Sequence, residues 1–267
     1  MKRILLGALV GAGTLLPALA QGEFQHEASA AVGSKGDGFG DGFWRIRYDY
    51  AFSPIKVGNQ PYALARYLSP ASSVRASYSE MDDFDSFSVG GTYQSPSGWF
   101  GLFNYTRNQL EQLDQDEYEG GIGYYLTDTT TLTATYGRYE RDYFATESEF
   151  NRYGLSLRHY FPLQTTQGLD TEFGYTRVDD DHRFPDGRYQ VDGNLYYARA
   201  DWYITQSWFI GARYGYSDIG DDDDSWIVQT GYWWQIGRVF SLQALVGHEF
   251  NTFDDDLTLG LGFTARF

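Results

Sequence analysis

The C-terminal residues 256–267, DLTLGLGFTARF, alternate strictly between apolar and small or polar side chains up to the last residue. A two-residue period places alternate side chains on opposite faces of a β-strand. Chain termini are usually poorly ordered unless they are tied into a sheet. We therefore expect the C-terminus to be a paired strand whose apolar face consists of Leu257, Leu259, Leu261, Phe263, Ala265 and Phe267.

The same alternation recurs along almost the whole chain, whereas helical periodicity is nearly absent. It predicts fourteen strands, near residues 22–32, 43–53, 73–81, 85–95, 98–107, 115–126, 129–142, 148–161, 168–178, 188–204, 207–218, 225–236, 238–250 and 256–267. No Pro- or Ser-rich linker divides them, so residues 21–267 are expected to form one β domain. Residues 61–72 depart from the pattern, because Leu64, Tyr67 and Leu68 also fit one face of a short helix. We interpret this segment as part of a long connection, with an additional strand as the alternative.

The first twenty residues have the three parts of a secretory signal peptide. Lys2 and Arg3 are basic, residues 4–19 are mostly apolar, and residues 18–20 form a small-residue cleavage pattern. A transmembrane anchor is the alternative, but glycines and a proline interrupt a run that is already short for a membrane-spanning helix. We expect residues 1–20 to be a cleaved signal peptide.

Composition excludes two classes of protein. Loss of the two basic residues with the signal peptide would take the formal charge from −16 to −18, and such an acidic chain is not expected to bind nucleic acid. Cysteine is absent, so an exported protein of this sequence is held together without disulfides. Aromatic residues make up 18% of the chain, and they favour both strands and membrane interfaces.

The connections between the predicted strands fall into two alternating classes. Residues 95–98, 127–129, 205–206 and 237 are short and neutral, whereas residues 81–83, 110–116, 179–187, 220–224 and 253–256 are acidic. The glycine-rich residues 33–42 belong to the acidic class by position. A meander whose turns alternate in this way has two ends that face different environments.

Fourteen strands are too many for a barrel filled by side chains, because about eight already enclose a filled interior. The opposite arrangement to that of a soluble barrel fits better: aromatic and aliphatic side chains face lipid, and small or polar side chains line a water-filled interior. A bilayer admits only helices and closed barrels, and about 9–11 tilted residues suffice for a strand to cross it. The sequence therefore predicts an all-β transmembrane antiparallel up-and-down barrel.

These features resemble a Gram-negative outer-membrane β-barrel, and the stretch FWRIRYDYAFSP…PYALARYLSPASSVRASYS is similar to putative general bacterial porins. The resemblance implies a passive diffusion channel for ions and small hydrophilic solutes in the outer membrane. It also implies that the terminal aromatic Phe267, with Phe263 at an alternate position before it, is the signal read by the barrel-assembly machinery. Other partners would be outer-membrane lipid and the solutes, with a monomer and a trimer both open.

The alternation assigns every second residue of a strand to the inner face of the barrel, and the charged residues at these positions are candidates for lining the pore. They are Arg45, Arg47, Arg75, Arg152, Arg158, Arg199, Arg213 and Arg266, with Asp49, Glu117, Glu119, Asp170, Glu172, Asp201 and Glu27. Charges within the membrane zone need partners or water. They could brace the wall by pairing, or sort solutes by charge.

The acidic connections predict a negatively charged mouth. Its candidate residues are Asp179, Asp180, Asp181, Asp221, Asp222, Asp223, Asp224, Asp254, Asp255 and Asp256. Because a charged mouth concentrates counter-ions, we expect a mild preference for cations. Weak divalent-ion binding at 221–224 is the alternative role, although the loop lacks the glycine and glutamate of a helix-loop-helix calcium site.

No catalytic or cofactor-binding constellation is evident, and we expect no enzyme activity, cofactor or metal. His26 and His159 fall on the outward parity, where interfacial rings are expected. His182 and His248 lie near acidic residues, so an outer-membrane lipase or protease is one alternative. A closed structural or adhesive barrel, with residues 33–42 folded inward, is the other.

Overall fold

A computed structural model describes residues 22–35, 42–81, 84–110, 113–143, 146–184, 187–219, 223–250 and 256–267. Within these ranges the chain forms fourteen strands and one short helical segment. The strands are β1 (Glu23–Lys35), β2 (Gly42–Lys56), β3 (Ser73–Met81), β4 (Phe84–Gln94), β5 (Trp99–Leu110), β6 (Leu113–Thr127), β7 (Thr130–Tyr143), β8 (Thr146–Pro162), β9 (Gly168–Phe184), β10 (Gly187–Tyr203), β11 (Trp208–Ser217), β12 (Asp223–Ile236), β13 (Phe240–Phe250) and β14 (Asp256–Arg266). The expected signal peptide, residues 1–20, lies outside the described residues.

Each strand pairs antiparallel with the next, and β1 pairs with β14 to close a barrel. The closing register joins Glu27 to Arg266 and runs without interruption to Lys35 and Thr258. Because the strand number is even, the start of β1 and the end of β14 lie at one end of the barrel, here named the terminal end, opposite the far end. The predicted antiparallel barrel of fourteen strands is confirmed.

Strand β8 shows how the two faces divide. Its outward side chains Tyr153, Leu155 and Leu157 are exposed, whereas the alternate Arg152 and Arg158 are half-buried and make contacts inside the barrel. Burial of apolar side chains inside a soluble protein would give the reverse arrangement. The exposed apolar band therefore has the character of a lipid-facing surface. In the part of the chain that the structure describes, no helix is long and apolar enough to cross a membrane.

Some strands extend further toward the far end than the sequence predicted, most of all β9, which ends at Phe184 and not near residue 178. β8, β9 and β10 have 17 residues each, or about 56 Å at roughly 3.3 Å per residue. Most of the predicted acidic connection 179–187 therefore belongs to β9 and β10, which is a correction to the sequence analysis. Beyond the bilayer a strand can be polar on both faces and still pair through its backbone, so the alternation that marks a strand disappears there.

The segment that the sequence left open between helix, loop and strand is helical. A 3₁₀ turn (Tyr62–Leu64) continues into helix α1 (Ala65–Leu68), in the connection between β2 and β3. This connection lies at the terminal end, as expected for the neutral class. Residues 61–68 are named the inserted segment below, because they enter the barrel.

Candidate functional site in the barrel lumen

The inserted segment packs against opposite sides of the barrel at its terminal end. Ala65 belongs to a buried cluster with Phe24, Ala51 and Ile55 of β1 and β2. Leu64, on the other side of the segment, is 3% exposed. It packs with Tyr160 of β8, Tyr203 of β10 and Phe209 of β11, and Tyr67 and Leu68 border the same cluster. These contacts join β1 and β2 to β8, β10 and β11, so the segment bridges the lumen.

Two arginines fasten the inserted segment to the seam where the barrel closes. Arg266 of β14 donates through Nε to Glu27 Oε2 at 2.7 Å and through Nη2 to the carbonyl of Tyr62 at 3.1 Å. Arg66 Nε lies 3.5 Å from Glu27 Oε1. The guanidinium groups of both arginines also lie over the ring of Phe24. Charge and cation–π contacts thus hold the segment on this side.

Tyr67 makes the contact with the third side of the barrel. Its hydroxyl donates to the carbonyl of Thr129 at 2.8 Å, and the Arg158 guanidinium lies 4.0 Å from the centre of its ring. The Tyr125 hydroxyl donates in turn to the carbonyl of Tyr67 at 3.4 Å. With contacts to the seam, to β6–β8 and to β8–β11, the inserted segment is held on several sides of the lumen at the terminal end.

The wall formed by β8, β9 and β10 carries a dense cluster of opposite charges. Asp170 is fully buried and accepts hydrogen bonds from Arg158 Nε at 3.0 Å, Arg158 Nη2 at 2.8 Å and Arg199 Nη2 at 2.9 Å. Arg199 also pairs with Glu172 at 3.0 Å and with Asp201 at 3.6 Å. Three carboxylates therefore surround two guanidinium groups. We call this set the paired wall.

The wall formed by β2 and β3 has a different ratio of arginines to carboxylates. Asp49 is 1% exposed and accepts from Arg47 at 2.5 and 2.8 Å, while Arg75 lies 3.8 Å away. Arg75 is 42% exposed, and Arg45 is exposed as well. Within the described ranges no ion pair of Arg45 is found. Guanidinium groups face the lumen here, and their carboxylate lies beneath them.

These three arginines border a polar recess of about 470 Å³. Hydroxyl and amide side chains of β3, β4 and β5 also line it: Ser77, Ser79, Ser86, Ser88, Thr92, Asn104 and Thr106. One carboxylate, Glu119 of β6, completes it. A second cavity of about 490 Å³, next to the inserted segment, shares Arg47, Arg75, Thr92 and Leu102 with the recess. The recess lies on the β2–β6 side, and the second cavity also reaches β7, β8 and β9 through residues such as Thr133, Arg158 and Glu172.

The structure places the predicted luminal charges on inward faces, but it separates them into groups. Arg152 pairs with Glu117 at 2.5 Å and lies over the Tyr139 ring, and it belongs neither to the paired wall nor to the lining of the recess. Arg213 is exposed on β11. The effect of these residues on selectivity stays a prediction. Sequence reasoning missed Arg66, because it lies in a connection where strand parity gives no information.

The predicted mouth charges are spread over different positions. Asp179 lies in β9 and pairs with Arg177 at 3.2 Å, and Asp180 is a buried residue of the same strand. Asp223 and Asp224 begin β12. The backbones of Asp181 and Asp256 belong to β9 and β14, and Asp221, Asp222, Asp254 and Asp255 lie outside the described residues.

Asp218, which the sequence analysis did not single out, adds an anion at the far end. The side-chain amide and the backbone N–H of Asn194 donate to this carboxylate and lower its pKa. Asp218 therefore stays ionised to lower pH than a free aspartate.

The C-terminal residue takes part in closing the barrel. The Phe267 backbone N–H donates to the carbonyl of His26 at 2.9 Å, and its carbonyl accepts from the His26 N–H at 2.7 Å. The two rings stack with centroids 5.1 Å apart. Phe263 lies on the outward face and pairs in register with Ala30 of β1. Recognition of Phe267 and Phe263 by the assembly machinery stays a prediction.

The histidines with described side chains contact neutral groups. His26 Nδ1 lies 2.6 Å from the Tyr48 hydroxyl, and His159 Nδ1 lies 2.6 Å from the Thr130 hydroxyl. His248 packs edge-on against Phe250. The side chain of His182 lies outside the described residues.

Comparisons with known proteins agree with this architecture. The model of the family described as putative general bacterial porin matches residues 1–267. The outer membrane protein Omp33 of Acinetobacter baumannii has a similar fold, with 17% identity and a TM-score of 0.59 over 93% of this chain and 100% of that one. A bacterial polysaccharide outer membrane secretin is 11% identical, with a TM-score of 0.55 over 91% and 98% of the two chains.

A loop-deletion mutant of OmpT, an outer membrane protein of Vibrio cholerae, is 9% identical, with a TM-score of 0.50 over 91% and 98%. No curated protein sequence matches the chain. The match over its whole length, together with a closed barrel and an apolar outer band, shows that the chain belongs to the putative general bacterial porin family and is a multi-pass β-barrel of the Gram-negative outer membrane.

Proposed function

We propose that this barrel is a passive diffusion channel for ions and small hydrophilic solutes. The observation that carries the proposal is the pair of adjoining cavities of about 470 and 490 Å³, which share four lining residues inside the barrel. Their walls combine arginines with serine and threonine hydroxyls, which solvate water-soluble molecules. Family membership supports the same function, and it supports a channel rather than an enzyme.

The inserted segment is the part of the lumen that limits passage. It occupies the terminal end, and its contacts reach the seam, Tyr125 on β6 and the cluster of Tyr160, Tyr203 and Phe209. A solute that leaves the second cavity toward the terminal end meets this segment first. We infer that the width of the passage, and hence the conductance, depends on how residues 61–68 are seated.

Single-channel conductance in planar bilayers tests both statements. The wild-type protein is expected to give steady steps, since two adjoining cavities lead through the lumen to the inserted segment. Tyr67→Ala removes the ring between Arg158 and Tyr125 and should give larger steps. Leu163→Ala is the matched control, because Leu163 is an exposed residue of the β8–β9 connection at the same end. Absence of steps in all three proteins would favour a closed structural barrel.

We also infer a mild preference for cations. The aspartates at and near the far end support it, because they raise the local concentration of cations before these reach the recess. The arginines inside the lumen attract anions instead, so the net preference for cations is expected to be mild. The effect of exposed mouth charges falls with the Debye length, about 10 Å at 0.1 M salt and about 3 Å at 1 M.

A further inference from the structure

The recess on the β2–β6 side has the chemistry of a ligand site. Arg45, Arg47 and Arg75 line one part of it, and the hydroxyls and amide of β3–β5 line the other. Its volume of about 470 Å³ falls in the range of about 300–1,000 Å³ that is typical of small-molecule sites. A lining of this polarity suits a strongly hydrated solute rather than an apolar one.

The balance of charge at the surface of the recess favours anions. Asp49 partly neutralises Arg47 and Arg75, but it is 1% exposed, so a solute meets the guanidinium groups and not this carboxylate. Glu119 is the one carboxylate that borders the recess among the described residues. Three guanidinium groups therefore face a single accessible carboxylate. The paired wall has no comparable surplus, since Asp170, Glu172 and Asp201 occupy its two arginines.

The neutral part of the recess is partly preorganised. Thr106 Oγ1 donates to Ser88 Oγ at 3.1 Å, Ser88 Oγ donates to Asn104 Oδ1 at 3.1 Å, and Asn104 Nδ2 donates to Thr106 Oγ1 at 3.0 Å. Over the described parts of the chain, the hydroxyls of Ser77, Ser79 and Ser86 make no hydrogen bond. These three hydroxyls are thus available to pair with the hydroxyl groups of a solute.

We propose that this recess binds small hydroxylated anions, whose charged group is a carboxylate or a phosphate, as they diffuse through the lumen. Guanidinium groups bind both kinds of oxyanion through paired hydrogen bonds. The serine and threonine hydroxyls contact the sugar-like part of the molecule. The proposal deepens the proposed diffusion function, on which it rests, by naming a class of solute that one part of the lumen binds in a channel whose overall preference is mildly for cations.

Binding is measured first without transport, by saturation-transfer NMR on the detergent-purified barrel. The probes are glucuronate, glucose 6-phosphate and glucose, which share a ring and differ in charge. We expect transfer to one or both anions and none to glucose. Binding of one anion alone identifies its charged group as the one selected, and binding of neither overturns the proposal.

The variant Arg45→Gln/Arg75→Gln tests whether the recess is the site. It leaves the Arg47–Asp49 pair in place, and it should lose transfer to the anions. Arg107→Gln is the matched control, because Arg107 pairs with Asp114 on the outward side of β5 and lies outside the lumen. The single variant Arg45→Gln, which breaks no ion pair among the described residues, gives the same test if the double variant does not fold. Undiminished anion binding in a folded variant would overturn the proposal.

Liposome swelling then separates this proposal from the diffusion function. The ratio of the glucuronate rate to the glucose rate should fall in Arg45→Gln/Arg75→Gln and stay at the wild-type value in Arg107→Gln. If glucose permeates and neither anion binds, the result supports the diffusion function and overturns the anion-binding recess. If an anion binds and no solute permeates, the result supports the recess as a binding site and overturns the diffusion function.

Discussion

Two walls of the same lumen use arginine in different ways. On the paired wall, Asp170 alone accepts three hydrogen bonds of 2.8–3.0 Å from Arg158 and Arg199, and further carboxylates lie nearby. On the β2–β3 wall, the Asp49 carboxylate pairs closely with Arg47, whereas the Arg75 Nε lies 3.8 Å from it. Both aspartates are buried, but only on the second wall do guanidinium groups remain well exposed. The two walls therefore differ in the number of carboxylates close to their arginines. Arginines with several close carboxylates hold neighbouring strands together, whereas arginines with few remain available to a solute.

The largest expected effect of this difference is on stability. Asp170→Asn leaves two half-buried guanidinium groups without their shared carboxylate and should cost about 3 kcal/mol of folding free energy. Urea unfolding of the barrel in lipid vesicles measures this cost. The matched variant Asp49→Asn should cost about 1–2 kcal/mol, since water reaches Arg47 and Arg75. Equal losses in the two variants would mean that the walls do not differ.

A smaller effect should follow when the recess is given the charge balance of the paired wall. Ser77 lies directly opposite Arg47 in the β2–β3 register. Ser77→Asp places a carboxylate within cross-strand contact of Arg47, a kind of pair that contributes about 0.2–1 kcal/mol. Anion binding should be lost and cation preference should increase, with stability maintained. Ser77→Asn, which changes shape without charge, should keep anion binding, and loss of binding in both variants would point to shape instead of charge.

The smallest expected effect comes from the mouth. Changing Asp221, Asp222, Asp223 and Asp224 together to Asn should weaken cation preference at 0.1 M salt and have little effect at 1 M, because salt screens exposed charges. Reversal potentials across a salt gradient measure this, with the wild-type protein at both salt concentrations as the reference. Anion preference of the wild type at 0.1 M would show that the luminal arginines outweigh the mouth.

The sequence predicted the barrel because lipid on one side and water on the other impose a two-residue period on each strand. That period also placed residues such as Arg158 and Asp170 on the inward face. It could not predict which carboxylate is buried beneath which arginine. That depends on the register between neighbouring strands, which sets Arg158 opposite Glu172 and Tyr160 opposite Asp170.

The inserted segment marks another limit of sequence reasoning. The spacing of Leu64, Tyr67 and Leu68 also fits one face of a short helix, and in the structure all three belong to or border one apolar cluster. Periodicity over so few residues says nothing about the space that a connection fills. The recess could not be predicted from the sequence either, because serines on an inward face are as typical of any water-filled lumen as of a binding surface.

Closure of the barrel through its first and last strands has a consequence for the order of folding. Glu27 and Arg266, which pair at the seam, are 239 residues apart in sequence, so their contact forms only after the whole chain is available. Such non-local pairing is slow, and until it forms β1 and β14 expose open edges that can pair with other chains. Arg266 also holds the carbonyl of Tyr62. The inserted segment therefore gains its last anchor at the moment of closure, so the seating of this segment inside the barrel is completed last.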